Sequence, residues 1–164
     1  MKEMTYIGVI GGARCTSVEK KLAEEVGREI AGQKAVLICG GRGGVMEAAA
    51  RGARRAGGLV IGILPGHDRR EGNPYLSVSL ATGLGDARNA IIACACDVLI
   101  AIGGGYGTLS EIGLALKMGK PVVGLHTWNL DRPGHGDDIH RAAGAREAVM
   151  LAVKLARLPI GNAP

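Results

Sequence analysis

The sequence predicts an α/β fold: a Rossmann-like, doubly wound, mostly parallel sheet with helices on both faces. Three observations predict it. Short apolar runs alternate with helical patterns, three of those runs end in glycine clusters, and the core must be built almost without aromatics. Of 164 residues, 47% are hydrophobic and 28 are glycine, while aromatics make up 2% and Phe is absent. Val, Ile, Leu and Ala therefore fill the interior, as suits helices packed closely on strands buried on both faces. This length supports one substantial core, so residues 1–164 are read as a single domain.

Tyr6 to Ile10 is a short apolar run closed by Gly11-Gly12. Thr16-Ser17-Val18-Glu19 then matches a capping box, and Val18, Leu22, Val26 and Ile30 recur at helical spacing. The unit repeats, with Ala35 to Cys39 as a strand, Gly40 to Gly44 as the turn, and Val45 to Ala56 as an Ala-rich helix stopped by Gly57-Gly58. Leu59 to Leu64 is a third strand ended by Pro65-Gly66. His67 to Pro74 is polar and turn-rich, Leu76 to Leu80 alternates as a short strand, and Asp86 to Ala95 can form a helix leading into the strand Val98 to Ile102. After Gly103-Gly104-Gly105-Tyr106-Gly107, a helix is expected over Thr108 to Met118, ended by Gly119-Lys120-Pro121 and followed by the strand Val122 to Leu125. His126 to His140 reads as an irregular loop, and Arg141 to Leu158 as a terminal helix before a Pro-ended tail.

The formal charge of +5 comes largely from Lys20, Lys21, Arg51, Arg54 and Arg55. These fall among helical patterns without interleaved aromatics, which argues for a solvated face and against a nucleic-acid partner. No apolar stretch approaches bilayer-spanning length, so neither export nor membrane anchoring is expected. Cys15, Cys39, Cys94 and Cys96 lack paired zinc spacing and are expected as reduced thiols in a cytoplasmic protein. Cys94 and Cys96 read as small buried side chains, and Cys39, at a strand end, is the candidate reactive thiol. His135, Asp137, Asp138 and His140 lack a recognised ligand spacing, so no metal site is expected.

In open parallel sheets, ligands sit outside the carboxyl ends of the strands, and the three glycine clusters belong to three such ends. Glycine lets the backbone approach a phosphate, and the amides opening the next helix supply oriented donors. The candidate ligand-binding residues are Gly11 and Gly12; Gly41, Gly43, Gly44 and Met46; and Gly104, Gly105, Tyr106, Gly107 and Thr108. The first turn lacks the G-x-G-x-x-G and downstream acid of a dinucleotide site, and no turn carries the Gly-Lys-Ser/Thr of a Walker A loop. Dinucleotide redox chemistry and ATP hydrolysis are therefore not expected.

Gly40-Gly-Arg-Gly-Gly-Val-Met-Glu-Ala-Ala-Ala-Arg-Gly-Ala53, Gly62-Ile-Leu-Pro-Gly66, Arg88 with Asp97, and Gly103-Gly-Gly-Tyr-Gly-Thr-Leu-Ser-Glu111 together resemble the Lonely Guy (LOG-like) superfamily. The resemblance runs from about Tyr6 to Leu125. That superfamily contains cytokinin riboside monophosphate phosphoribohydrolases, older sequences mislabelled as lysine decarboxylases, and a branch with a molybdenum-cofactor carrier. The resemblance makes Arg88 and Glu111 the catalytic side chains if the chain is an enzyme, and implies a homodimer or higher homo-oligomer. Gly103 in place of the hydrolases' Pro, Asn89 in place of their Lys, and Gly11-Gly12-Ala13 in the first turn look closer to the carrier-like branch. A decarboxylase would need a pyridoxal-phosphate lysine, whereas Lys117 and Lys120 fall at a helix end that they complement electrostatically.

Three readings stay open. A binding or carrier protein would hold a phosphorylated small molecule, with no required cofactor and with a nucleotide or the molybdenum cofactor as cargo. A phosphoribohydrolase would cleave the N-glycosidic bond of a nucleoside 5′-monophosphate, with Glu111 acting on water or on the ribosyl cation. A regulatory sensor would use the same pocket as a switch. Selectivity is expected from Asp68 to Tyr75 and from the loop after Leu125. Glu111 also has a purely structural alternative, since Thr108-Leu-Ser-Glu111 repeats the capping-box spacing of Thr16 to Glu19. Arg88 has one too, as an exposed arginine at a helix start.

Overall fold

Seven parallel strands and five α-helices alternate along the computed structural model, which describes residues 4–158. The strands are β1 (Tyr6–Gly11), β2 (Val36–Cys39), β3 (Val60–Leu64), β4 (Val78–Ala81), β5 (Val98–Ile102), β6 (Val122–Leu125) and β7 (His140–Arg141). The helices are α1 (Ser17–Gly32), α2 (Val45–Arg55), α3 (Asn89–Ala95), α4 (Tyr106–Lys117) and α5 (Ala145–Ala156). In the sheet the strand order is β4-β3-β2-β1-β5-β6-β7. The chain winds outward from β1 to β4, then returns to pair β5 with the other side of β1, in register from Ile7 opposite Val98 to Gly11 opposite Ile102. The winding direction reverses between β1 and β5, and the carboxyl ends of those strands flank a topological switch point.

Alternation along β5 explains why both faces are covered. Val98, Ile100 and Ile102 point into a core shared with α1, α2 and α5. Leu99 and Ala101 point into a second core with Ile92 of α3 and Ile112 and Ala115 of α4. Helices α1 and α2 cross at Gly27 and Gly52, where an added Cβ would strike the carbonyl oxygens of Ala49 and Glu24 respectively. The Ala-rich face of α2 is thus matched to glycines on its neighbour, which is how a core without Phe reaches close packing.

Helix ends follow the sequence signals. Thr16 caps α1, accepting from the Glu19 amide at 3.2 Å, while the Glu19 carboxylate accepts from the Thr16 amide at 2.7 Å. Helix α2 closes with Gly58 N–H donating to Ala53 at 2.8 Å and Gly57 N–H to Arg54 at 3.1 Å; α4 closes the same way at Gly119 and Lys120.

Four boundaries differ from expectation. β4 begins at Val78, because the ladder to β3 pairs Val78 with Ile61. The helix expected from Asp86 opens as a 3-10 turn over Gly85–Arg88 before α3 begins at Asn89. Helix α4 begins at Tyr106, two residues before Thr108. His140 and Arg141 form β7 beside β6, with Ala142 N–H donating to Gly124, so the terminal helix begins at Ala145 instead of Arg141. The Pro-ended tail lies outside the described residues, as do Met1 to Glu3. No described helix is long and apolar enough to cross a membrane.

Candidate functional site

Helix α4 opens differently from the helices after β1 and β2. The start of α1 is closed by its own capping box, and the first amide of α2, Val45 N–H, donates to Gly12 at 3.0 Å. At α4 the N-cap is Gly105, no side chain caps the helix and no acid lies in the first turn. The amides of Tyr106, Gly107 and Thr108 therefore have no intrahelical acceptor and carry the positive end of the helix dipole at the switch point. Gly104 takes φ +98°, and an added Cβ would strike the Thr108 side chain, so the turn needs glycine for its backbone and for space.

Contacts hold this turn from behind. Thr127 Oγ1 donates to the Gly103 carbonyl at 2.6 Å, and the Trp128 indole N–H donates to the Gly105 carbonyl at 3.1 Å. Asn89 donates through Nδ2 to Ser110 Oγ at 3.0 Å, and the Ser110 hydroxyl donates to the Gly107 carbonyl at 2.7 Å. Asn89 is thus committed to the scaffold of the turn.

Below the turn lie the buried polar side chains of the described residues: Arg88, Asn89, Thr108 and Glu111. Arg88 is 8% exposed, Glu111 is 6% exposed, and Arg88 Nη1 stands 3.7 Å from Glu111 Oε1. That distance makes an ion pair without a hydrogen bond. Arg88 Nε has no hydrogen-bond partner. The guanidinium fills the space over Gly40, where an added Cβ would also lie 2.7 Å from Met46 Sδ. Burial pushes the Glu111 carboxyl up to about 7 against the opposing pull of Arg88, so desolvation outweighs the pair. Burial likewise draws Arg88 below its ordinary value, with Glu111 opposing.

Both structural alternatives for these residues fail. Thr108 is the third residue of α4 and not its cap, so Glu111 lies well inside the helix and cannot complete a capping box. Arg88 is buried, not exposed.

The other sequence-selected residues fall in two groups. Gly11, Gly12, Gly43 and Gly44 bring the first two turns together, with an added Cβ at Gly44 striking Gly12 and Ala13. Gly41 faces away, its carbonyl accepting from Asn73 N–H at 2.9 Å and its far side meeting Leu64. Gly104, Gly105, Tyr106 and Gly107 are exposed at the turn, and Met46 is buried beside Gly40. Cys39 is fully buried and its thiol is pushed up to about 11, which makes it unreactive rather than nucleophilic. Cys96 is buried as expected, but Cys94 is exposed. Asp137 accepts from Arg141 Nε at 2.6 Å and from the Leu130 and Ile139 amides, so its carboxylate organises the loop.

Sequence reasoning missed Asn89, Ser110, Thr127 and Trp128 as supports of the turn. Glu19, read from the sequence only as a capping residue, also reaches the turn, where an added Cβ at Gly103 would strike its carboxylate. A lone Trp after β6 was the available signal for Trp128; nothing local marks the others.

The model of the SLOG cluster4 family matches residues 4–155. The chain belongs to that family. Within the LOG-like superfamily it stands near the molybdenum-cofactor carrier branch. It is 36% identical to the molybdenum cofactor binding protein from the phototrophic bacterium Rippkaea orientalis, with a TM-score of 0.86 over 94% of this chain and 99% of that one. Against the molybdenum cofactor carrier protein from Chlamydomonas reinhardtii the identity is 36% and the TM-score 0.79, over 93% of this chain and 98% of that one. A cytokinin riboside 5′-monophosphate phosphoribohydrolase of Mycobacterium tuberculosis is 32% identical over 135 residues, which are 73% of this chain and 66% of that protein.

Proposed function

We propose that this chain is a binding or carrier protein for a phosphorylated small molecule, a nucleoside monophosphate or a pterin-type cofactor such as the molybdenum cofactor. The phosphate sits on the amides of Tyr106, Gly107 and Thr108. The observation that carries this reading is the uncapped, acid-free first turn of α4, held open at the switch point by Thr127, Trp128 and Ser110. Similarity along nearly the whole chain to two molybdenum-cofactor proteins supports the carrier class. Among the described residues no group of three or more His, Cys, Asp and Glu is arranged to hold a metal ion.

A second reading, nucleoside 5′-monophosphate phosphoribohydrolase, is favoured by one observation: Glu111 beside Arg88, with its carboxyl near 7. A base in that range can take a proton from water as the water oxygen bonds to the anomeric carbon and the C–N bond breaks, and the departing ring nitrogen takes up a proton from solvent, releasing the free base. The test has two arms. Nucleoside monophosphates and pterin phosphates are screened by thermal unfolding, where ligand at a hundred times its dissociation constant stabilises the fold by about 2.7 kcal/mol. Free base is measured in the same mixtures. Binding without base release supports the carrier; base release abolished in Glu111→Gln supports the hydrolase; no stabilisation by any compound overturns both.

A further inference from the structure

We propose that Tyr106 and Trp128 form an aromatic wall at the rim of the glycine turn, on which the ligand's planar heteroaromatic ring stacks. The site then selects ring-bearing phosphates over sugar phosphates. This inference rests on the phosphate reading above and adds the residues that read the other end of the ligand.

The chain has four aromatic residues, three Tyr and one Trp, and two of them meet here with ring centroids 5.6 Å apart and planes at 41°. Trp128 is fixed on three sides. Its indole N–H is bonded to the Gly105 carbonyl, its hydrocarbon packs against the core under α4, and its own carbonyl accepts from Arg141 Nη2 at 2.6 Å. Arg141 is in turn held by Asp137. Tyr106 is the opposite case: the residue is 82% exposed, the most exposed of the large hydrophobic residues among the described residues. An aromatic ring left in water forgoes a large burial gain. Here the ring stands on the residue whose amide opens α4, so a molecule seated on that amide has a stacking face within reach. Trp128 meets Tyr106 on one side, and the exposure of Tyr106 leaves ring surface open to a base or pterin ring.

The single Trp128 makes the intact protein its own reporter. Emission and calorimetric affinity are measured with guanosine 5′-monophosphate, a pterin phosphate and ribose 5-phosphate, for wild type and Tyr106→Ala. Alanine removes the ring and keeps the phosphate-binding amide. The expected result is saturable change of Trp128 emission by the ring-bearing phosphates only, and a loss of roughly 5- to 150-fold in their affinity in Tyr106→Ala, the range for loss of one stacked base. Ribose 5-phosphate should bind wild type and variant alike. Equal loss for all three compounds, or no loss for any, overturns the aromatic wall while leaving the phosphate site standing. No binding by any compound removes the phosphate reading and this inference with it.

Discussion

Replacing Glu111 with Gln tests whether the buried pair is as desolvated as its geometry implies. The folded carboxyl lies near 7, above its ordinary value of 4.5, because burial outweighs Arg88 at 3.7 Å. A carboxyl raised by folding stabilises the native state while it is protonated. That contribution is full below about pH 4.5 and is lost as pH rises through about 7. At about 1.4 kcal/mol per tenfold change in proton activity, the loss amounts to about 3 kcal/mol. The substituted amide is a neutral isostere of the protonated acid and lacks this dependence. Urea unfolding of both proteins from about pH 4 to about pH 9 should give similar stabilities at the acid end and a variant more stable by about 3 kcal/mol at the alkaline end. Taking the difference cancels the titrating groups that do not interact with Glu111. Curves that stay parallel through neutrality would refute the desolvated carboxyl, and with it the argument that Glu111 is a base tuned to neutral pH.

Four other outcomes are expected. Gly104→Ala forces a side chain into φ +98° against Thr108, costing about 1–3 kcal/mol by thermal unfolding, whereas an added methyl at Gly107 meets open space and Gly107→Ala should stabilise by about 0.5–1 kcal/mol. Gly27→Ala pushes a methyl onto the Ala49 carbonyl at the α1–α2 crossing, and an overpacking loss of about 1–3 kcal/mol is expected from denaturant midpoints. A thiol reagent at neutral pH should label exposed Cys94 first and leave buried Cys39 and Cys96, whose thiols burial pushes up, unlabelled until the protein unfolds; prompt mass-spectrometric labelling at Cys39 would contradict its burial.

Most of the fold was legible because its signals are local. The capping box at Thr16, the glycine stops at Gly57 and Gly119, and the all-buried run Val98 to Ile102 each state an element within a few residues. Two misreadings show where the local pattern falls short. Thr108 and Glu111 mimic a capping box, yet α4 begins at Tyr106 because Gly105 can serve as N-cap without a side chain. β7 is two exposed polar residues with no periodicity, and it forms because the edge of β6 is free and Asp137 pins Arg141. Glycine at three strand ends announced the site, whereas the meeting of Arg88 with Glu111 and of Tyr106 with Trp128 depends on where separate elements dock.

The central claim, an anion held on the first turn of α4, is tested most directly by amide NMR of the intact protein during titration with a nucleoside monophosphate or pterin phosphate. The expected result is saturable shifts concentrated at Gly104 to Thr108, fading along α4 and small at the capped start of α1. Binding by calorimetry with those five amides unmoved and the largest shifts elsewhere in the chain would contradict it.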